Sequence, residues 1–413
     1  LYSSAASDVY KRQLEEKASS DAKYSNILGA TKIWGAYLFQ RLTDIYGNVP
    51  YSEAGLGYYQ QIYKPKYDNQ ETIYKDMIQQ VKDGVNLLNA NNPAIDGDLF
   101  YDGDINKWKK FGGSLLLRIG MRLSEVAPDL AKQTVADAVT IGVMSQPEDI
   151  CLLRHDGSGK NAFKNPLSFR YLDDNFIESD AVKIGKTFMD YLKKTKDPRI
   201  HVYCSLKDGN TEFDKQFGLP NGYDSHTIAD APSGSFVGLE NTSNFNINTI
   251  LRLDAPTIFL MPSETKLLLA EAVLRNWTNG NAEVLYKEAI TSSMKEQEIA
   301  YGTQGKITDE EIETYLAQNL LSTANNTEKL QIIGEQYWVA TFINGYESYA
   351  NWRRTGYPKL IPTNYSGSMS PGVIPTRLPY PTDEYSINRA NVDTANQQQG
   401  ADKVTTHIWW DID

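Results

Sequence analysis

Residues 34–51 read WGAYLFQRLTDIYGNVPY, and this stretch decides the fold. Extended to both sides, it places apolar residues at helical spacing from Ile27 to Ile45. Gly47 then offers a helix C-cap, and Pro50 prevents the helix from resuming. The stretch therefore predicts a long amphipathic helix that ends in a tight turn.

Helical periodicity recurs on both sides of an irregular middle region. Predicted helices begin near Asn69, Asn106, Pro128, Pro262, Asn281, Thr308 and Glu328, with one more at about 180–194. Thr308 and Glu311 have the spacing of a capping box. We expect a mainly α fold in which helix pairs stack as in a tetratricopeptide-like scaffold, with a loop-rich insert and little β structure.

Composition suggests how the chain is divided. Residues 146–255 are rich in Gly, Pro, Asn, Asp and Ser, which favours loops and short strands in a variable insert. We expect an N-terminal tail at 1–26, of which 1–13 resemble a translated sequencing adapter, and one domain at 27–413. Within that domain we expect a helical scaffold at 27–145 and 256–357 and an irregular C-terminal segment at 358–413.

Charge and cysteine content exclude several classes of protein. The 41 basic and 52 acidic residues give 41 − 52 = −11, a net charge that repels phosphate backbones, so we expect no nucleic-acid partner. Cys151 and Cys204 fit neither a CxxC pattern nor a zinc spacing. Two buried free thiols are favoured, and a disulfide stays open.

Catalytic and metal-binding motifs are missing from the sequence. The four histidines are far apart, and Asp180 stands where a phosphate-binding loop before Lys186 needs glycine. Asp96, Asp98, Asp102 and Asp104 lack the spacing of a calcium-binding EF-hand, which favours a solvated turn. We therefore expect no enzymatic activity, no cofactor and no metal site.

Aromatic residues are the best candidates for ligand contacts. The chain has 26 Tyr and 7 Trp, whose flat apolar faces can stack on sugar rings, although most aromatics in any protein belong to the core. Outside the helical stripes they form three groups. The predicted ligand-binding residues are Tyr58, Tyr59, Tyr63 and Tyr67 in the first group, Phe169 and Tyr171 (with Phe176 nearby) in the second, and Tyr223 (with Phe217, Phe236 and Phe245) in the third.

Several stretches together resemble the SusD/RagB family of outer-membrane nutrient-binding lipoproteins, in its SusD-like branch. Beside 34–51, they are 103–123 (GDINKWKKFGGSLLLRIGMRL), 261–277 (MPSETKLLLAEAVLRNW), 281–294 (NAEVLYKEAITSSM), 345–358 (GYESYANWRRTGYP), 377–391 (RLPYPTDEYSINRAN) and 409–411 (WWD). Each is a weak signal, but so many local agreements in family order favour membership.

The resemblance implies non-catalytic capture of an oligosaccharide or peptide at the extracellular face of the outer membrane. It also implies delivery to a SusC-like TonB-dependent transporter and anchoring through a lipidated cysteine. Neither Cys151 nor Cys204 can be that cysteine, so the lipid anchor is absent from this sequence. The resemblance further implies ligand contacts after the turn at 48–51, and structural roles for Arg353, Arg354 and Arg377.

Two other hypotheses come from different classes. One is a glycoside hydrolase or lyase built from helix pairs, with a carboxylate couple in the insert. The other is a protein-binding helical scaffold, which predicts no small-molecule ligand and aromatics buried in loop cores.

Overall fold

The computed structural model describes residues 14, 16–18, 21–173, 183–223, 226–321, 325–365 and 367–412. In these ranges the fold is mainly α-helical, as predicted, and its β structure consists of three two-stranded antiparallel sheets. No helix in the same ranges is long and apolar enough to cross a membrane.

The first part of the chain is a set of long helices with defined ends. Its elements are α1 (Ser25–Tyr46), β1 (Val49–Pro50), α2 (Gly57–Gln60), β2 (Tyr67–Asp68), α3 (Gln70–Leu87), α4 (Ile105–Arg122) and α5 (Pro128–Ile141). Gly47 ends α1 with φ at 79°, a conformation that favours glycine. Asn69 and Asp104 cap α3 and α4 by accepting backbone N–H bonds.

Helices α1 and α3 pack as an antiparallel pair. Asn26 donates to the Asn89 carbonyl and Lys32 donates to Gln80, so residue numbers rise along one helix and fall along the other. Where the helices are closest, a Cβ built on Gly29 would lie 2.6 Å from the Gly84 carbonyl oxygen. Only glycine permits this approach, which draws the two backbones together.

The insert and the second helical part follow. The elements of the insert are β3 (Cys151–Leu153), α6 (Pro166–Asp173), α7 (Lys186–Thr195), α8 (Ile200–Tyr203), β4 (Cys204–Ser205), β5 (Asn244–Phe245) and, just after it, β6 (Thr257–Leu260). Those of the second part are α9 (Pro262–Leu274), α10 (Ala282–Tyr301), α11 (Asp309–Gln318), α12 (Asn326–Ala340) and α13 (Gly345–Thr355). The Thr308–Glu311 capping box is confirmed at the start of α11.

The C-terminal segment differs from the expectation of an irregular tail. It contains α14 (Thr382–Ile387) and α15 (Arg389–Gln399). In α15 only Val392 and Ala395 are buried, so the sequence carries no apolar stripe that would predict it. Helix α14 is a short element that follows Pro381, with none of its residues buried.

Both cysteines are buried free thiols, as the sequence favoured. The acidic run at 96–104 is more organised than a solvated turn. The Asp98 carboxylate accepts hydrogen bonds from the backbone of Phe100 and Gly103 and from Trp108 Nε1, at 2.8–3.0 Å. Asp98 and the N-cap residue Asp104 therefore organise the start of α4.

A buried ionic network ties the two helical parts together. Arg122 on α4 donates to Glu347 on α13 at 2.6 and 2.7 Å, and its Nε lies 3.4 Å from Asp44 on α1. Trp410 Nε1 donates to Asp44 Oδ1 at 2.9 Å, which brings the C-terminus into the same network. Burial alone would raise the pKa of Glu347, but the guanidinium groups of Arg122 and Arg118 outweigh burial and lower it.

We expect Arg122→Met to destabilise the protein strongly, because Glu347 and Asp44 would both lose the Arg122 guanidinium that compensates their buried carboxylates. The expected loss is about 3–5 kcal/mol in the free energy of unfolding, measured by urea denaturation. Arg389→Met is the matched control, since the Arg389 side chain is 73% exposed and its ion pair with Asp393 lies at the surface. An equal effect of the two substitutions would contradict the structural role of the network.

Candidate functional site

The candidate site is the loop at 51–66, here called the aromatic loop. Its ends are closed by the antiparallel pair β1–β2, in which Val49 pairs with Asp68 and Pro50 with Tyr67. Asp68 also accepts hydrogen bonds from Ser52 N and Oγ at 2.7–3.0 Å. Hydrogen bonds therefore hold the two ends of the loop close together.

The C-terminal helices fasten the other side of the loop. Asn388 Nδ2 donates to the Pro65 carbonyl at 2.8 Å, and Asn391 Nδ2 donates to the Lys64 carbonyl at 3.0 Å. Within the loop, Lys66 N donates to the Glu53 carboxylate at 2.9 Å. Side chains more than 300 positions away in sequence therefore fix the loop backbone.

Two of the predicted tyrosines project from this fixed loop. Tyr58 on α2 is 78% exposed and Tyr63 is 74% exposed. A Cβ built on Gly57 would lie 3.4 Å from the Tyr63 ring, which places that ring against the start of α2. Tyr59 belongs to α2, but its side chain lies outside the described part of the structure. Together Tyr58 and Tyr63 present aromatic surface to solvent.

Tyr67 lies in the interior instead. It is 8% exposed, its hydroxyl donates to Glu384 Oε2 at 2.8 Å, and its ring meets the edge of Tyr380 at a centroid distance of 5.1 Å. Burial first, and then the hydrogen bond to Glu384, raise the pKa of Tyr67. Tyr67 therefore packs the base of the loop onto α14, and we leave it out of the proposed binding surface.

The insert aromatics lie in mixed settings. Tyr171 is half-buried and packs edge-on against Phe245 at 5.9 Å, and Phe245 contacts Phe342 at 5.5 Å. This chain of rings joins the insert to the helical scaffold. Phe169 and Tyr223 are half-buried, and the Lys164 ammonium lies 5.6 Å from the centre of the Phe169 ring.

The third group of aromatic residues, which belongs with Tyr223, also includes both half-buried and exposed side chains. Phe236 is half-buried. Phe217 is 39% exposed and has the Lys193 ammonium 4.1 Å from its ring centre. Burial lowers the pKa of Lys193. Phe176 lies outside the described residues.

The three arginines are structural, as expected. Arg353 donates to the backbone carbonyls of Asp44 and Thr376 at 2.6 and 2.8 Å. Arg354 donates to both carboxylate oxygens of Glu271 at 2.7 Å. Arg377 is fully buried and forms an ion pair at 2.9 Å with Asp402.

The residues that fasten the aromatic loop were not foreseen from the sequence. The stretch 377–391 was recognised only as a motif, and nothing in it names position 64 or 65 as its partner. Exposed Tyr346, 53% exposed with the Arg41 guanidinium 4.5 Å from its ring centre, was also missed. Among the residues that the structure describes, no group of three or more His, Cys, Asp or Glu side chains is placed to hold a metal ion.

Comparison with known proteins identifies the family. The family model described as "Starch-binding associating with outer membrane" matches residues 3–381, which is most of the chain. The chain therefore belongs to the SusD-like family. Proteins of this family are binding proteins rather than enzymes, and the family is associated with the outer membrane. The expectation of a non-enzymatic protein is confirmed, and the hydrolase hypothesis is set aside.

Solved structures agree with this assignment. A chitin-binding protein is 33% identical, with a TM-score of 0.81 over 96% of this chain and 84% of that one. A Bacteroidetes SusD-like protein is 27% identical, with a TM-score of 0.81 over 98% and 87%. A chitin-binding SusD homolog from Flavobacterium johnsoniae, at 24% identity and a TM-score of 0.79 over 97% and 84%, shows the shared fold. No curated protein matches the sequence.

We expect Asn388→Ala to loosen the aromatic loop, because it removes the hydrogen bond to the Pro65 carbonyl. Amide hydrogen exchange at 52–66 should become at least about threefold faster, while the long scaffold helices keep their protection. Gln397→Ala is the control, since Gln397 is an exposed residue of the neighbouring helix α15. If loop exchange is unchanged in Asn388→Ala, the C-terminal helices do not hold the loop.

Proposed function

We propose that this protein binds an uncharged oligosaccharide of the chitin or starch type on the aromatic loop and passes it on uncut. The observation that carries the proposal is the pair of exposed rings, Tyr58 and Tyr63, on a loop fastened at both its base and its side. The chitin-binding relative at 33% identity supports the sugar class.

The proposed binding depends on stacking of tyrosine rings on sugar rings and involves no chemical reaction. A tyrosine ring offers an apolar face for the C–H side of a sugar and a hydroxyl for its polar rim. Exposed aromatic surface is unfavourable in water, so two such rings five positions apart in one fastened loop favour a binding role. Because the loop backbone is already fixed, binding costs little conformational entropy.

Other predicted residues have secondary roles in the proposal. Tyr59 adjoins Tyr58 on α2, and Phe169 and Tyr223 are half-buried residues of the insert that retain some exposed surface. We propose them as further contacts for a longer ligand. Tyr171 and Tyr67 instead support the loops from within.

We further propose that the protein acts at the extracellular face of the outer membrane as the partner of a SusC-like TonB-dependent transporter. Association of the family with the outer membrane supports this location. A lipid anchor is part of the proposal, and buried Cys151 and Cys204 are not the residues that carry it.

The double variant Tyr58→Ala/Tyr63→Ala tests the proposed site. We expect wild-type protein to bind N-acetylchitopentaose or maltopentaose with a Kd of roughly micromolar to millimolar, measured by isothermal titration calorimetry. The double variant should bind at least about tenfold more weakly, a loss of about 1.4 kcal/mol, because both stacking faces are gone. Tyr346→Ala, which removes an exposed tyrosine outside the loop, should leave the Kd unchanged.

Three results would contradict the proposal. Equal affinity of the double variant and the wild type would remove the aromatic loop as the site. Binding of peptides but of neither sugar would favour the peptide-binding alternative. Shorter sugars released during incubation with pure protein would restore the hydrolase hypothesis.

A further inference from the structure

A second concave surface lies beside the base of the β1–β2 pair. It is a cleft of about 520 Å³, a size typical of small-molecule sites. Asn48 precedes β1 and Asn69 follows β2, and the end of α15 and the C-terminal stretch close the other side. The residues that the argument uses are Asn48, Gln70, Glu71, Gln398, His407 and Trp409.

The floor of the cleft is a network of side-chain amides. Gln399 Oε1 accepts from Asn48 N at 2.6 Å, and Asn48 Oδ1 accepts from Gln70 N at 3.0 Å. Gln399 Nε2 donates to the Tyr46 carbonyl at 3.1 Å. These bonds hold the floor rigid, while Gln398, the neighbour of Gln399 on α15, is exposed at the rim. An amide such as that of Gln398 can donate to one hydroxyl and accept from another.

The charges around the cleft favour an uncharged ligand. No Lys or Arg is among the residues that line it. The Glu71 carboxylate is paired with Lys75 at 2.5 Å, and His407 Nδ1 lies 3.3 Å from Asp411 Oδ1. An anionic ligand would therefore meet no lysine or arginine among these lining residues to compensate its desolvation.

Trp409 supplies the apolar element. It is half-buried, and its ring centroid lies 6.1 Å from that of buried Tyr74, which supports it from the interior. A supported indole beside rigid amides combines a stacking face with hydrogen-bonding groups. Uncharged polyhydroxylated molecules carry both matching features, whereas a purely apolar ligand would offer the Gln398 amide no hydrogen-bonding partner.

We propose that this cleft is a second binding site for an uncharged sugar, formed chiefly by Gln398 and Trp409. The proposal rests on the proposed function for the class of ligand, but it places binding on different residues. Helix α15 connects the two surfaces: Asn391 holds the aromatic loop and Gln398 borders the cleft. Seven residues of helix separate them, a rise of about 10 Å, which a single oligosaccharide can span.

Gln398→Leu tests the site because it replaces the rim amide by an apolar side chain that neither donates nor accepts a hydrogen bond, and Gln397→Leu is its matched control. Gln397 is also exposed on the same helix but does not line the cleft. Both substitutions are introduced into the wild type and into Tyr58→Ala/Tyr63→Ala, and binding of N-acetylchitopentaose and maltopentaose is measured by calorimetry and ligand-observed NMR. Gln398→Ala removes only the amide, and thermal melting checks the folding of every variant.

We expect weak sugar binding to remain in Tyr58→Ala/Tyr63→Ala and to fall at least about fivefold when Gln398→Leu is added. Adding Gln397→Leu should leave this remaining binding unchanged. Equal effects of the two leucine substitutions, or no sugar binding at all once both tyrosines are replaced, would overturn the second site.

These measurements distinguish failure of the aromatic-loop proposal from failure of the cleft proposal. If Tyr58→Ala/Tyr63→Ala binds sugar as well as the wild type and Gln398→Leu removes that binding, the aromatic-loop proposal fails and the cleft is supported. If Gln398→Leu has no effect in either background while the double tyrosine variant loses all binding, the cleft proposal fails alone. Absence of binding to both sugars at millimolar concentration in the wild type would overturn both.

Discussion

The buried contact between Arg122 and Glu347 is the interaction on which the rest of the structure depends. It joins α4 to α13 across 225 positions of sequence, and Asp44 extends it to α1. Apolar packing between helices is non-directional, so it specifies the arrangement of helix pairs less sharply than paired buried charges do. A charge network with buried partners fixes one arrangement, since any other would leave a carboxylate or guanidinium unpaired.

This fixed frame explains why the C-terminal segment matters for the site. Trp410 reaches Asp44 in the network, and Arg353 of α13 donates to the Thr376 carbonyl, so both ends of the segment are held by the scaffold. Between them, Asn388 and Asn391 bind the backbone of the aromatic loop. The helical scaffold therefore holds the exposed tyrosines in place indirectly: it fixes the C-terminal segment, and that segment fixes the aromatic loop. The segment itself shows little helical periodicity in sequence.

The sequence predicted the parts of the structure that follow from local pattern. Helix α1, the start of α3 near Asn69 and the Thr308 capping box all have short-range signals, and each is observed. Helix α15 was not predicted from the sequence, because it buries only two residues and so has no apolar stripe. The cleft was not predicted either. Gln70 and Gln398 come from distant segments, and no sequence pattern of amide residues indicates that folding brings them together.

The candidate site was predictable only as far as its loop. Tyr63 and Tyr67 stand four positions apart in the same aromatic run, yet one is 74% exposed and the other 8%. Their difference arises from Glu384 and Tyr380, which receive Tyr67 at the base of the loop. A sequence of loop tyrosines therefore indicates a binding surface, but long-range partners decide which rings face the ligand.

The most direct test of the account is a crystal structure of the protein with N-acetylchitopentaose. The account predicts an intact sugar chain stacked on Tyr58 and Tyr63, with the loop backbone and the Arg122–Glu347 contact unchanged. A sugar bound only elsewhere on the molecule, or present as cleaved fragments, would contradict it.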